Sequence, residues 1–160
     1  MRVFIASDHA GFELKQLIQK SVTQISYLTA HAPEQGALNP PTKETIVLEW
    51  EDLGCPGPDR VDYPDIAAKL AEKIKDTPYF GILVCGSGIG VCIKANRYPW
   101  VRAGLAHNLE TAQLARGHND ANVLCLGARF VESHLAIEMV RSFLVTPFEG
   151  GRHADRVKKL

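Results

Sequence analysis

An α/β fold on a parallel sheet of about five strands follows from three features of the sequence. Short apolar runs alternate with segments whose apolar residues recur at helical spacing. Turns rich in Gly, Asn and Asp separate the two kinds of segment. The apolar runs are continuous rather than alternating, which is how strands buried on both faces read.

Val3-Phe4-Ile5-Ala6 is the first such run. Ser7-Asp8-His9-Ala10-Gly11 follows as a loop, and Phe12, Leu14, Leu17 and Ile18 then mark a helix. Between about 23 and 45, Pro33, Gly36, Asn39, Pro40 and Pro41 are too many breakers for a helix to continue. A surface loop insertion is expected there in preference to a functional lid. A weaker strand is expected near Ile46-Val47-Leu48. The loop 54–63, with Pro56, Gly57 and Pro58, leads into a helix opened by Tyr63-Pro64-Asp65. Phe80-Gly81-Ile82-Leu83-Val84 is the next strand, running into Cys85-Gly86-Ser87-Gly88-Ile89-Gly90 and a helix over 91–96. Segments 101–106 and 122–126 read as strands, and 108–116 and 131–144 as helices. A last helix is expected from about residue 151.

The chain has 160 residues, 46% of them hydrophobic, enough to bury roughly two thirds of its unfolded surface in one core, so a single domain over 1–160 is expected. Lys and Arg total 18 and Asp and Glu 18, which removes the broad positive field that nucleic-acid or anionic-membrane binding needs. Any basic site is therefore local. Cys55, Cys85, Cys92 and Cys125 form no C-x-x-C pair and no zinc-type spacing with His, and the chain opens without a secretory pattern. Reduced thiols in a soluble, cytoplasmic protein are the expectation. No apolar run approaches the ~20 residues of a membrane span.

The glycine stretch after Cys85 carries the most chemistry. A dinucleotide fingerprint needs a third glycine where Val91 stands and belongs after the first strand rather than a middle one, and a P-loop needs a Lys that first appears as Lys94. What remains is a loop without Cβ atoms whose amides can close on a small anion or a developing oxyanion. Cys85 beside those amides reads as a nucleophile or a base, or as one more small apolar residue ending a buried strand. Cys92 and Cys125 read as packing. Asp8 and His9 occupy the equivalent loop after the first strand and should face the same crevice, the alternative for His9 being a helix cap. His118-Asn119-Asp120 is either a polar cluster or a helix exit. Arg152 and Arg156, four apart, would project from one helix face to hold a phosphate, or form a solvated face with an Arg–Asp pair.

In order along the chain, Ser7-Asp8-His9-Ala10-Gly11-Phe12-Glu13-Leu14-Lys15, Asp62-Tyr63-Pro64, Cys85-Gly86-Ser87-Gly88-Ile89-Gly90, Thr111-Ala112, His118-Asn119-Asp120-Ala121-Asn122-Val123, Gly127-Ala128-Arg129 and Glu149-Gly150-Gly151-Arg152-His153 resemble the ribose-5-phosphate isomerase B family, which includes the subunits of galactose-6-phosphate isomerase. The segment near 23–45 is longer than the connection usual in that family and touches none of these motifs. The resemblance implies a Rossmann-like three-layer α/β/α sandwich. It implies a homodimer or dimer of dimers whose sites are shared between subunits.

The same resemblance implies interconversion of ribose 5-phosphate and ribulose 5-phosphate through an enediolate, in the non-oxidative pentose phosphate pathway, with neither metal nor redox cofactor. Cys85 would be the base, assisted by Ser87, with the amides around Gly86, Gly88 and Gly90 holding the enediolate oxygens. His118 would open the furanose ring and Asn119 position its oxygens. Asp8 and Tyr63 would line the sugar hydroxyls, and His9, Arg129, Arg152 and Arg156 would bind the phosphate. A hexose 6-phosphate such as allose or galactose 6-phosphate is the alternative substrate. A non-catalytic sugar-phosphate-binding subunit is the alternative of another class, and it must explain why Cys85, His118, Asn119 and the arginines are all kept.

Overall fold

The computed structural model describes residues 1–29, 42–57 and 59–160. Strand β1 (Arg2–Ser7) leads through a 3₁₀ turn (His9–Gly11) into helix α1 (Phe12–Ser21). Strands β2 (Gln24–Thr29), β3 (Thr42–Val47) and β4 (Glu49–Asp52) precede helix α2 (Tyr63–Ile74). Strand β5 (Phe80–Cys85), helix α3 (Ile89–Ala95), strand β6 (Ala103–Leu105), helix α4 (Leu109–Gly117), strand β7 (Val123–Gly127) and helix α5 (Ser133–Val145) complete the alternation. A second 3₁₀ turn (Gly151–His153) runs into the short helix α6 (Ala154–Val157).

The expected parallel sheet is present, with five strands in the order β4-β1-β5-β7-β6. Each face has its own core. Leu14, Ile18, Ala112, Ala136, Met139 and Phe143 of α1, α4 and α5 pack one face. Ala67, Leu70, Ile74, Val91 and Ala95 of α2 and α3 pack the other. Crossovers from β1 run one way along the sheet to β4, and later ones run the other way to β5, so β1 and β5 flank the point where winding reverses. Ligands in open α/β sheets bind beyond the carboxyl ends of strands at that point. Asp8 and Cys85 sit there.

Three expectations are corrected. The segment near 23–45 is not a plain loop: β2 and β3 form an antiparallel ladder, Gln24 pairing with Val47 and Tyr27 with Glu44. Their β-branched and aromatic residues favour the extended backbone. The breakers Pro33, Gly36, Asn39, Pro40 and Pro41 lie outside the described residues, as does Pro58. Nor is the sheet strand at 46–48. Ile46 and Val47 end the hairpin, and the edge strand beside β1 is Glu49-Trp50-Glu51-Asp52. The last helix also starts later than 151, so Arg152 lies in the 3₁₀ turn and Arg156 in α6.

Lys15 joins the layers at the carboxyl end of the sheet. Its side chain is fully buried, and Nζ donates to Asp52 Oδ1 at 2.7 Å and to the Cys55 carbonyl at 2.8 Å. The same Asp52 oxygen accepts the Gly54 N–H at 3.0 Å. Ser7 N–H donates to the Gly54 carbonyl and Cys55 N–H to the Ser7 carbonyl, both at 2.8 Å, so the stretch after β4 is stitched alongside the end of β1. Removing one partner of a buried ion pair strands the other charge, whereas removing the buried charge itself does not. Asp52→Ala should therefore cost about 3 kcal/mol in urea denaturation, and Lys15→Met clearly less. Equal costs would mean that the pairing is not what holds this segment.

Candidate active site

Cys85 ends β5 with only 5% of its surface exposed. The Gly88 N–H donates to its Sγ at 3.0 Å, which fixes the side chain and gives negative charge on sulfur a partner. Gly88 has φ 78°, and a Cβ there would stand 2.5 Å from Leu105 Cδ1 and 2.9 Å from the Leu126 carbonyl carbon. No other residue fits both the backbone angle and the space. Ser87 is half-buried beside the thiol, and its Oγ accepts the Ile89 N–H at 3.3 Å.

Around this loop stand the other residues from the carboxyl end. Asp8 is buried and its Oδ1 accepts the Gly11 N–H at 3.0 Å, capping the 3₁₀ turn, while His9 is exposed. The cap is thus made by Asp8 and not by His9. Arg129 is exposed, its N–H donating to the Gly86 carbonyl at 3.1 Å. Its guanidinium lies over Gly86, where a Cβ would be 3.2 Å from Cζ. Tyr63 opens α2 and lays its ring against Gly90, where a Cβ would be 2.6 Å from Cε2. The missing side chain at Gly90 is accounted for by Tyr63, and the Gly88 amide by the sulfur.

The remaining predicted residues lie at the other end of the sheet. Helix α4 runs back from the carboxyl end of β6, so His118, its C-cap, and the exposed Asn119 sit beside the amino ends of β5 and β7. The Gly81 N–H, at the start of β5, donates to the Asn122 carbonyl at 2.9 Å. Helix α5 also runs back to that end, and Glu149 N–H donates to the Gly117 carbonyl at 3.0 Å. Arg152 and Arg156 are exposed there, and Asp155 pairs with Lys158 at 3.7 Å rather than with an arginine. From Phe80 to Cys85 the strand climbs five steps, about 16 Å at ~3.3 Å each. The sequence-predicted residues therefore form two groups, one at each end.

Two residues without a sequence-assigned role complete the second group. The rings of His118 and His153 stack with centroids 4.0 Å apart and planes 13° from parallel. Glu149 Oε2 lies 3.5 Å from His118 Nε2 and 3.6 Å from His153 Nε2. Arg152 Nε–H donates to His153 Nε2 at 3.3 Å. Burial, then the charges of His118 and Arg152, push the His153 imidazole below its ordinary range. One ligand atom from each of His118, Glu149 and His153 falls within 4.8 Å of the others. The near-parallel rings aim their in-plane lone pairs side by side rather than at one point, and a guanidinium occupies one of them, so the arrangement does not suit a shared cation. Their motif, Glu149-Gly150-Gly151-Arg152-His153, was the only sequence signal for these two residues.

The other cysteines are packing. Cys125 is fully buried, and burial pushes its thiol well up. Cys92 Sγ is turned to the Ala103 carbonyl at 3.4 Å, and a hydrogen bond with the Cys125 thiol draws it down.

Residues 3–160 match the family model described as Ribose/Galactose Isomerase. The chain is 42% identical to a probable ribose-5-phosphate isomerase B of Mycoplasma pneumoniae, over 99% of this chain and 91% of that one. It is 35% identical to ribose-5-phosphate isomerase B of Escherichia coli, over 99% and 93%. Its structure resembles ribose-5-phosphate isomerase B of Clostridium thermocellum with a TM-score of 0.81 at 38% identity, covering 99% of this chain and 94% of that one. It resembles the Mycoplasma genitalium enzyme, solved with bound ribulose-5-phosphate, with a TM-score of 0.79 at 39% identity, covering 99% and 92%.

The contact of Gly90 with Tyr63 makes a prediction of sign. In a helix Gly→Ala ordinarily gains ~1 kcal/mol, and overpacking ordinarily costs ~1–3 kcal/mol. Gly90→Ala should thus destabilise the native chain and stabilise a Tyr63→Ala chain. Thermal unfolding of the four members of that cycle reads both signs, and the same sign in both backgrounds would detach Gly90 from Tyr63.

Proposed function

The chain belongs to the ribose/galactose isomerase family, and from that premise we propose that it interconverts ribose 5-phosphate and ribulose 5-phosphate by moving a proton between C1 and C2. The observation that carries the proposal is the buried Cys85 thiol at the point of strand reversal, its sulfur held by the Gly88 amide, in a loop against which Arg129 and Tyr63 pack at Gly86 and Gly90. The relatives named above, one of them with ribulose-5-phosphate bound, support the pentose over a hexose.

With the aldose open, Cys85 takes the proton at C2 and charge moves to O1, giving an enediolate. The proton returns from Cys85 to C1 while the C2 hydroxyl passes its own proton to O1, which leaves the ketone at C2 and a hydroxyl at C1. Ser87 and the amides beside Gly86 attend the enediolate oxygens, a kind of contact commonly worth ~3 kcal/mol in the transition state. Asp8 and Tyr63 contact the sugar hydroxyls. The reaction is internal to one molecule, so acid–base groups suffice.

A ring opener must reach the same sugar carbons as the base. His118 and Cys85 are separated by about the length of β5, ~16 Å, which no pentose phosphate bridges at both reacting atoms. The proposed remedy is a two-fold pair in which one subunit supplies Asp8, His9, Tyr63, Cys85 and Arg129 and its partner supplies His118, Asn119, Arg152 and Arg156. The phosphate then meets His9 and Arg129 from one side and the two other arginines from the opposite side. Apolar side chains left exposed, Ile89 at 52%, Ile93 at 56% and Phe130 at 69%, favour such a contact. A groove of about 780 Å³ between β6, α4 and α6 is lined by Leu105, Leu114, Asn119 and Leu160 among others, so it adjoins one of the residues assigned to the partner's half of the site. Among the described residues no helix is long and apolar enough to cross a membrane. The four cysteines are free thiols, as in a reducing compartment, and we assign the chain to the cytoplasm.

Two measurements test this. Entry of solvent deuterium at C2 of ribose 5-phosphate should be fast in the native protein and nearly lost in Cys85→Ser; equal rates would remove Cys85 as the base. Assayed from ribose 5-phosphate, Cys85→Ser and His118→Ala chains, each largely inactive alone, should regain about a quarter of native activity when mixed and allowed to exchange subunits, because half the dimers then hold one intact site of two. A mixture that stays inactive would place both residues' work within one chain.

A further inference from the structure

The stacked pair at the end of α4 has a carboxylate whose partner is defined by elimination. Glu149 is pinned through its backbone to Gly117, the residue before His118. Gly117 leaves the room that its carboxylate needs, since a Cβ there would stand 3.1 Å from Glu149 Oε1. The carboxylate passes over that glycine to the Nε2 edges of both imidazoles. His153 is buried, and its Nε2 lone pair is already used by the Arg152 Nε–H. With its basicity lowered by burial and by neighbouring positive charge, His153 stays neutral and serves as a flat wall. The edge of His118 is what remains for Glu149.

We propose that Glu149 is a positioning residue for His118, holding its Nε2 edge while the ring of His153 fixes its plane, so that His118 can pass a proton between two oxygens of the sugar. This rests on the reading of His118 as the ring opener. In that step the anomeric hydroxyl gives its proton to His118 and C1 becomes the aldehyde. The C1–O4 bond breaks, its electron pair leaves with O4, and the proton is handed on to O4. Between the two transfers the imidazole is positive, and the Glu149 carboxylate 3.5 Å away offsets that charge. A freely rotating imidazole would lose both the aim and the counter-charge.

The two sugars separate this role from a merely structural one. Ribose 5-phosphate is largely a closed furanose and must be opened. Ribulose 5-phosphate carries its carbonyl at C2 and its phosphate on O5, so no hydroxyl can close a five-membered ring, and loss of its C1 proton needs no ring opener. In Glu149→Gln, kcat from ribose 5-phosphate should fall roughly tenfold or more while entry of solvent deuterium at C1 of ribulose 5-phosphate stays within about twofold of native. Should Gln destabilise the chain, Glu149→Asp, which keeps the charge but draws it back from His118, is read in the same way. A folded variant in which both rates fall together, or in which the forward rate is unchanged, overturns the proposal and leaves the isomerase reading standing. A native chain that catalyses neither reaction overturns that reading itself.

Discussion

A buried ammonium ion fixes the geometry on which the carboxyl end of the sheet depends. An unpaired charge in the interior costs several kcal/mol, so Lys15 tolerates one placement of the segment that neutralises it. That segment is Asp52 to Cys55, and its backbone is bonded to the end of β1. The next residue along β1's path is Asp8, whose amide donates to the Val84 carbonyl of β5 at 3.2 Å. One ionic contact thus sets three strand ends in register: β4 through Asp52, β1 through Ser7, and β5 through the residue before Cys85. The thiol inherits its position from a lysine that never touches it.

Chain direction does the rest. Every strand of a parallel sheet points its carboxyl end the same way, and every crossover helix returns the chain to the opposite end. Residues that follow strands therefore gather on one edge, and residues that follow helices gather on the other. Asp8 and Arg129 follow β1 and β7, and Cys85 ends β5. His118 and Glu149 follow α4 and α5. Their separation comes from topology and not from any local packing choice, which is why no side-chain adjustment within one chain could close it.

This also explains what was legible in the sequence. The central strands were readable because burial on both faces makes them uninterrupted apolar runs, as in Ile82-Leu83-Val84. The edge strand β4 escaped because one side of it meets solvent, so Glu49, Glu51 and Asp52 sit where an apolar run was sought. The hairpin escaped for a related reason. Prolines at 33, 40 and 41 dominated the reading of a segment whose flanks, with Ile25, Tyr27, Thr45 and Ile46, carry strand-forming residues. Lys15 was visible only as the end of a motif, since nothing near it in sequence announces Asp52. The site residues were legible as motifs, but the partition between two ends was not, because spacing along a chain does not say which edge of a sheet a loop returns to. Glu149 and His153 were visible only as part of a motif, their stacking with His118 being a contact between segments about thirty residues apart.

The distance between the two groups has a consequence for association. If each sugar phosphate lies between a thiol from one copy and an imidazole from another, the substrate is itself a bridge between copies. By mass action, whatever binds only the paired state shifts the equilibrium toward pairing. Such an enzyme would lose specific activity on dilution faster than it loses protein, and would recover it as its substrate accumulates. Its concentration threshold would then be set in part by the sugar it consumes.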